Sequence, residues 1–484
     1  MENALNSWLV GQEVQLEVEK AILGGKFMGS ASDGRVAWLK SAKALAIGDL
    51  VTAKVLKLAK RSYELEVLSI NQESSTHSPP FCPHIQQCGG CPWQALPIEQ
   101  QIQSLSRDID RMLSRAVGHE VKWLTPYQED EQAWRHTARL HSDGKGRLGF
   151  YGPQGLLDLP HCPVFVPTLN QILEATRQLL PYLSEAPAEI RISVAQDQSS
   201  GTLALELHGI WSEEALQNLQ KAIAELLPSA NVIHGVSLLA HRQDLVLKAM
   251  PTRRAQHKSA KQNSARHKKS RKHNSKKRPK RSTPSLASTL QQYPEVYLTW
   301  GKAYNQLSTA AHPASAFMQA HQSGNQALVK QVIKGAEQAE NILELYAGSG
   351  NFTRPLAKAK ANRHILALEY DRSAVAALNQ YAQQEQLNIM AQAQDIAQLP
   401  QDHFDHIILD PPRAGATPII EALADSDTKY ITYISCHPAA LARDLESLCH
   451  KGWTLEYAKL FHLFPHSGHA EVYCRLYKPN TSEV

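Results

Sequence analysis

Apolar and polar positions alternate in short stretches over residues 8–72. Glu13-Val-Gln-Leu-Glu-Val-Glu19, Gly34-Arg-Val-Ala-Trp-Leu39, Asp49-Leu-Val-Thr-Ala-Lys-Val-Leu56 and Tyr63-Glu-Leu-Glu-Val-Leu68 each show the period of two that buries one face of a strand. Gly24-Gly25, Asp33-Gly34 and Gly48 supply the turns between them. This pattern predicts a small β-barrel of the oligonucleotide-binding type over residues 1–72. Ser74-Ser-Thr-His-Ser-Pro-Pro80 reads as a linker. From about residue 335 the rhythm changes. Compact apolar runs at Asn341–Leu345, His364–Leu368, His406–Leu409 and Lys429–Ile434 are separated by helical stretches near 352–360, 372–385, 417–426 and 438–451. Such alternation predicts a parallel, doubly wound, Rossmann-like sheet over 307–484. Between the two, residues 73–306 mix strands and helices without repeats, as an α+β domain would. A chain of 484 residues exceeds one ordinary core, so a multidomain α/β protein is expected.

Composition adds little until charge is considered. Apolar residues make up 43% of the chain and charged residues 20%, with no run long enough to span a bilayer and no signal-peptide pattern at Met1-Glu-Asn-Ala4. A cytoplasmic monomer is expected, without a membrane partner. The net charge of +5 is unevenly spread. Residues 251–283 hold fourteen Lys and Arg and no Asp or Glu, leaving 37 basic against 46 acidic residues elsewhere. An acidic body with one basic segment points to a polyanionic partner. The segment cannot bury apolar surface, and a disordered insertion over 251–285 is expected. It reads either as an arm that gathers RNA through phosphate contacts or as a loop insertion that aids solubility.

Candidate chemistry concentrates in the last third. The first apolar run leads into Tyr346-Ala-Gly-Ser-Gly-Asn-Phe-Thr353, a strand-to-helix turn in which Gly348 and Gly350 let backbone approach a ligand. Thr353 stands where a dinucleotide fingerprint would have Gly or Ala, which argues against a nicotinamide enzyme. Glu369 ends the second run about 20 residues on, where a carboxylate can accept from ribose hydroxyls. With Asp395 and Asp410, it fits an adenosyl ligand lying across the carboxyl edge of the sheet. In Asp410-Pro-Pro-Arg413 two prolines stop the strand and fix a rigid turn. The following run ends in Ser435-Cys-His-Pro438, placing Cys436 beside Asp410 ahead of a helix whose N-terminus would favour the thiolate. Glu471, in a strand-like segment after His466 and His469, is a candidate general base. Cys449 and Cys474 read as ordinary buried cysteines.

The linked set Leu345-Tyr-Ala-Gly-Ser-Gly-Asn-Phe-Thr353, Asp410-Pro-Pro-Arg-Ala-Gly415, Ser435-Cys436-x-Pro438 and Phe464-Pro-His…His-x-Glu471 resembles the RNA uracil-C5 methyltransferase family. The similarity preserves order and spacing over nearly the whole chain, apart from the basic tract. The resemblance implies a class I methyltransferase domain using S-adenosyl-L-methionine, with Cys436 as nucleophile and Glu471 as base. It also places Gln319, Tyr346, Asn351, Glu369, Asp395 and Asp410 around the cofactor or target base. The first 72 residues resemble the family's TRAM RNA-binding domain, and Arg135-His-Thr-Ala-Arg139 a basic segment that meets phosphate or else forms a solvated face. His437 and His321 depart from the family, which carries Asn at both positions. Either imidazole can still donate a hydrogen bond, and a protonated His437 would favour the thiolate.

Cys82, Cys88 and Cys91 lie in one tight loop, and Cys162 is the natural fourth ligand. Four thiolates suit a [4Fe–4S] cluster or tetrahedral zinc, and spacing does not choose between them. Resemblance to the family's iron–sulfur members favours the cluster, in a structural and not a radical role. The TRAM-like module together with these cysteines indicates the branch acting on 23S ribosomal RNA. Alternatives are a tRNA T-loop methyltransferase and a non-catalytic RNA-binding assembly factor on the same fold.

Overall fold

A computed structural model of the chain describes residues 7–128, 130–195, 198–208, 211–226, 232–240, 298–300, 319–396 and 398–479. The basic tract and the insertion expected at 251–285 lie outside the described residues. Alternation along the N-terminal segment produces six strands, β1 (Glu13–Glu17), β2 (Lys20–Ile22), β3 (Lys26–Ser30), β4 (Val36–Lys40), β5 (Leu50–Leu58) and β6 (Ser62–Gln72). They form one sheet in the order β1-β5-β6-β4-β3-β2. Its inward positions, among them Val14, Leu16, Phe27, Leu39, Val51, Val55 and Leu65, are buried as the period of two requires. The two end strands, β1 and β2, follow one another with only Val18 and Glu19 between them. Val18 donates its N–H to the Asp49 carbonyl and Glu19 to the Met28 carbonyl, so this bent stretch touches both sides of the sheet. The close approach needs Gly29, where a Cβ would stand 2.4 Å from the Glu17 carbonyl oxygen.

The cysteine loop contains a single turn, α1 (Ile85–Cys88), and leads into α2 (Ile98–Val117), whose buried face includes Leu105, Ile109 and Leu113. Next comes β7 (Trp123–Tyr127), which belongs to the C-terminal sheet despite its place in the chain. The middle sheet follows the order β15-β14-β13-β12-β8-β9, from β8 (Thr137–Ser142), β9 (Leu148–Gly149), β12 (Ala188–Val194), β13 (Gly201–Leu207), β14 (Ile233–Ala240) and β15 (Leu298–Trp300). A two-stranded ribbon, β10 (Tyr151–Gly152) with β11 (Gly155–Leu156), and helices α3 (Pro167–Arg177) and α4 (Glu213–Leu226) complete it. Leu238 pairs with Leu298 and Val236 with Trp300. β14 and β15, which flank the basic tract in sequence, are neighbouring antiparallel strands.

The last segment builds an eight-stranded sheet in the order β18-β17-β16-β19-β20-β22-β21-β7. Its strands are β16 (Asn341–Leu345), β17 (His364–Glu369), β18 (Ile389–Ala393), β19 (His406–Leu409), β20 (Tyr430–Ser435), β21 (Thr454–Phe461) and β22 (Glu471–Tyr477). The helices are α5 (Gln322–Gly335), α6 (Thr353–Ala359), α7 (Arg372–Gln384), α8 (Ile420–Asp425) and α9 (Pro438–His450). Strands β16 to β20 run parallel, with runs such as Ile407-Ile-Leu409 buried on both faces. The sheet is not wholly parallel. β22 enters antiparallel between β20 and β21, because a hairpin can double back where a crossover helix would not fit. Among the described residues no helix is long and apolar enough to cross a membrane.

Candidate active site

The parallel strands deliver their carboxyl ends to one edge. After β16, Tyr346 adopts φ 61°, Gly348 φ 54° and Gly350 φ 91°. A Cβ on Gly348 would meet nothing within 4 Å, so this turn opens onto free space at the edge of the sheet. Glu369, ending β17, binds the turn from the neighbouring strand. Its carboxylate accepts the Gly348 N–H at 2.8 Å and the Tyr370 and Asp371 N–H groups at 2.7 and 2.9 Å. The half-buried Tyr346 hydroxyl is pushed up, first by burial and then by the charges of Asp444 and Asp395. Asp395 itself is exposed after β18. Asn351 exchanges two amide hydrogen bonds with Asn325 of α5, at 2.8 and 3.0 Å. Gln319 is half-buried ahead of α5 and is held at the middle sheet, since His136 donates its N–H to the adjoining Ala320 carbonyl.

Three adjacent strands bring the reactive side chains together. Asp410 follows β19, Cys436 follows β20, and Glu471 opens the antiparallel β22, so all three reach the same edge. Ser435 and Val472 are register partners, which sets Cys436 and Glu471 side by side. Glu471 is 2% exposed, and burial followed by the Asp410 charge holds its carboxyl well above the usual range. Burial pushes Asp410 up to about 7. Two buried acids this close resist ionising together.

The Cys436 environment corrects the expectation of a thiolate favoured by a helix N-terminus. Burial first, then the Glu471 and Asp410 charges, push the thiol up; Arg413 alone pulls the other way, by charge and by a hydrogen bond. Arg413 is thus the cation that lowers the cost of ionising Cys436. In the sequence Arg413 reads only as part of a turn.

The four remaining candidate cysteines also converge. Cys91 is pushed up to about 12 by burial and by Cys162, Cys88 and Cys82, and Cys162 to about 11 by burial, with Cys82 and Cys88 adding to it. Such mutual effects require near neighbours, and all four are free cysteines. Asn170 clamps the second loop, accepting the Cys162 N–H at 2.9 Å and donating to the Cys162 carbonyl at 3.0 Å. Among the described residues no three Cys, His, Asp or Glu side chains are closed up in metal-holding geometry.

Arg135 takes neither of the two places expected of its segment, phosphate contact or a solvated face. Its guanidinium lies over Phe150 and Phe165, at 5.5 and 6.0 Å, and donates to the Thr137 carbonyl at 2.9 Å. The charges acting on it are Cys162, Cys91 and Cys88. Only Arg139 of that segment is exposed, where it pairs with Glu189 at 2.9 Å.

Comparison with known proteins bears on this arrangement. A family model described as tRNA (uracil-5-)-methyltransferase matches residues 382–478, which contain Asp410, Arg413, Cys436 and Glu471. One described as a methyltransferase small domain matches 312–425. A 23S rRNA (uracil(1939)-C(5))-methyltransferase of Pseudomonas fluorescens strain Pf-5 is 28% identical over 479 residues, covering 96% of this chain and 93% of the relative. The chain is related to the RNA uracil-C5 methyltransferases. A Chromohalobacter salexigens relative with the same described activity is 29% identical over 94% of this chain and 87% of its own length. The crystal structure of a Pyrococcus abyssi tRNA (uracil-54, C5)-methyltransferase with S-adenosyl-L-homocysteine superposes with a TM-score of 0.64 at 18% identity. It covers 96% of this chain and 100% of its own, and shares the class I methyltransferase fold.

Both histidine departures from this family now have a structural meaning. His321 and His437 are N-caps, of α5 and α9 respectively. His321 Nδ1 accepts the Gly324 N–H at 3.1 Å, and His437 Nδ1 accepts the Ala440 N–H at 3.2 Å. An asparagine carbonyl caps a helix in the same way, so imidazole replaces amide with the cap kept. His437 Nδ1 is thus committed to the helix cap. Asn325, the partner of Asn351, escapes sequence reasoning; an asparagine inside a helix carries no signal of its own.

Proposed function

We propose that this protein methylates C5 of a uridine in 23S ribosomal RNA, using S-adenosylmethionine as methyl donor. The observation that carries the reading is the delivery of Cys436, Glu471 and Asp410 to one strand edge beside the glycine turn. S-adenosylmethionine supplies an electrophilic methyl group, and the residues fitted to hold it are Tyr346, Gly348, Asn351, Glu369 and Asp395, with Asp410 and Gln319 at the junction with the base. Uracil C5 is too weak a nucleophile to take that methyl unaided. Cys436 gives up its proton to solvent and adds as a thiolate to C6, with Arg413 offsetting the charge; the ring becomes an enolate whose C5 takes up the methyl group, leaving S-adenosylhomocysteine. Glu471 then removes the C5 proton, the C5–C6 double bond re-forms, and the C6–S bond breaks to release the thiolate. Covalent catalysis of this kind divides one hard step into easier ones. A base stacked inside folded RNA cannot reach a half-buried thiol, so the target must be flipped out or lie in an opened loop.

The substrate is tested by incubating the protein with methyl-labelled cofactor and purified 23S rRNA or tRNA. Label in rRNA, mapped as 5-methyluridine, is the expected result; label in tRNA alone overturns the substrate. The two relatives described as 23S rRNA enzymes support the first outcome.

Residues 1–72 are read as a TRAM-like closed barrel that meets RNA, 73–306 as the cysteine-bearing middle domain, and 307–484 as the methyltransferase domain. Cys82, Cys88, Cys91 and Cys162 are assigned to a [4Fe–4S] cluster, with zinc as the other metal of matching donor preference. A tetrathiolate centre of either kind is anionic overall, and Arg135 among three of these sulfurs supports an anion there. Protein prepared without oxygen is expected to contain iron and sulfide, with a visible charge-transfer band. Cys91→Ser should lose most of both. Wild-type protein holding neither iron nor zinc would refute the assignment.

The basic tract is assigned to phosphate contact. Deleting 251–283 should flatten the salt dependence of RNA binding, by about 0.7 to 0.9 in slope for each phosphate no longer neutralised, while turnover at saturating RNA stays unchanged. An unaltered slope leaves the tract a mere insertion.

A further inference from the structure

Glu471 is held in place by a part of the chain that carries none of the chemistry. The loop before it, residues 464–470, contains two positive-φ positions, His466 at 67° and Gly468 at 70°. A non-glycine residue in that region costs about 1 kcal/mol or more unless its surroundings impose it. For His466 the surroundings do. Gln101, on the first turn of α2 and 0% exposed, accepts the His466 N–H at 2.8 Å. The same carboxamide directs its Nε2 to His466 Nδ1 at 3.0 Å, the Leu96 carbonyl at 2.8 Å and the Trp93 carbonyl at 3.3 Å. An amide nitrogen can only donate, so Nδ1 accepts. Trp93 returns a bond, giving its N–H to the His466 carbonyl at 2.9 Å. Both backbone polar groups of His466 and one ring nitrogen are thus bound to residues 93–101.

The other side of the loop is closed by the N-terminal sheet. Gly24, in the β2–β3 turn, donates to the Gly468 carbonyl at 2.8 Å. A Cβ on Gly468 would stand 2.3 Å from the Gly25 nitrogen, leaving no room to shift in that direction. Three residues later the chain reaches Glu471.

We infer that Gln101 is a positioning residue for the general base: its carboxamide locks the 464–470 loop and so sets Glu471 at C5 of the bound uridine. This role rests on the proposed mechanism. Only a side chain with an acceptor and two donors can make these contacts, so the near-isosteric Gln101→Met removes the lock with little change in volume.

Misplacing a catalytic group by about 1 Å can cost a hundredfold. The Gln101→Met protein is expected to fold, to form the Cys436 adduct with 5-fluorouridine RNA as well as wild type, and to keep its KM for RNA. With ordinary uridine RNA its kcat should fall roughly tenfold or more. During that turnover a denaturant-stable, methylated RNA–protein species should accumulate, because proton removal has become the slow step. General weakening of the structure would lower activity without that species. Gly468→Ala, which pushes on the loop from the opposite side, should produce the same accumulation and serves if Gln101→Met does not fold. A folded variant that turns over without accumulating the adduct overturns the assignment. If wild type itself gives no adduct with 5-fluorouridine RNA, the mechanism fails first and the role of Gln101 falls with it.

Discussion

Cys436→Ser protein is expected to show no methylation above background, a loss of roughly 10⁴-fold or more, and no covalent adduct with 5-fluorouridine RNA. The nucleophile decides this outcome. A serine hydroxyl in this half-buried place, facing Glu471 and Asp410, has no accessible alkoxide form, and Arg413 alone cannot supply one. Fluorine at C5 cannot be removed by a base, so wild-type protein that has added through sulfur and methylated C5 stays attached. The adduct is read as a shifted band on a denaturing gel and located by peptide mass at Cys436. Thermal stability should be nearly unchanged, since the substitution exchanges one small polar atom for another. Retained methylation by a folded Cys436→Ser protein would end the covalent mechanism.

Glu471→Gln should separate the steps that Cys436→Ser abolishes together. Attack at C6 and methyl uptake at C5 do not need the carboxylate, whereas loss of the C5 proton does. Turnover should therefore fall about 10³-fold, within the usual range for removing a general base, while a methylated covalent species builds up on ordinary RNA. The pH dependence follows from the same pair of acids. Burial raises Glu471 and lifts Asp410 to about 7, and the base works only when ionised. Wild-type kcat should accordingly rise with pH through neutrality. Stability should move in the opposite sense. A carboxyl raised in the folded state contributes stability below its unfolded value that is lost as pH rises through the folded one, here near 7 for Asp410. Replacing Glu471 by Gln removes one of these two groups, so its stability should decline less between pH 5 and 8. A kcat that is flat across neutrality, or a Glu471→Gln protein that turns over normally, would count against Glu471 as base.

Much of the fold and of the candidate site is legible along the chain. The period of two over 13–68 and the apolar runs from 341 onward correspond to β1, β4, β5 and β6 and to β16, β17, β19 and β20, because burial on one face or on both leaves a direct mark on composition. Asp410 and Cys436 can be assigned to one edge because parallel strands joined by helices must present their carboxyl ends together. Less can be read where partners are distant. β7 lies more than 300 residues from β21, beside which it pairs, and its Thr-Pro interruption hides the pattern.

The sequence by itself determined the residue types available for chemistry and the strand ends that carry them, since both follow from local composition and periodicity. Tertiary structure alone decided what surrounds those groups. How hard Cys436 is to ionise, whether Arg135 faces phosphate or sulfur, and the helix caps made by His321 and His437 all depend on burial and on neighbours placed by the fold. Desolvation and Coulomb interaction act through space, so spacing along the polypeptide holds no record of them.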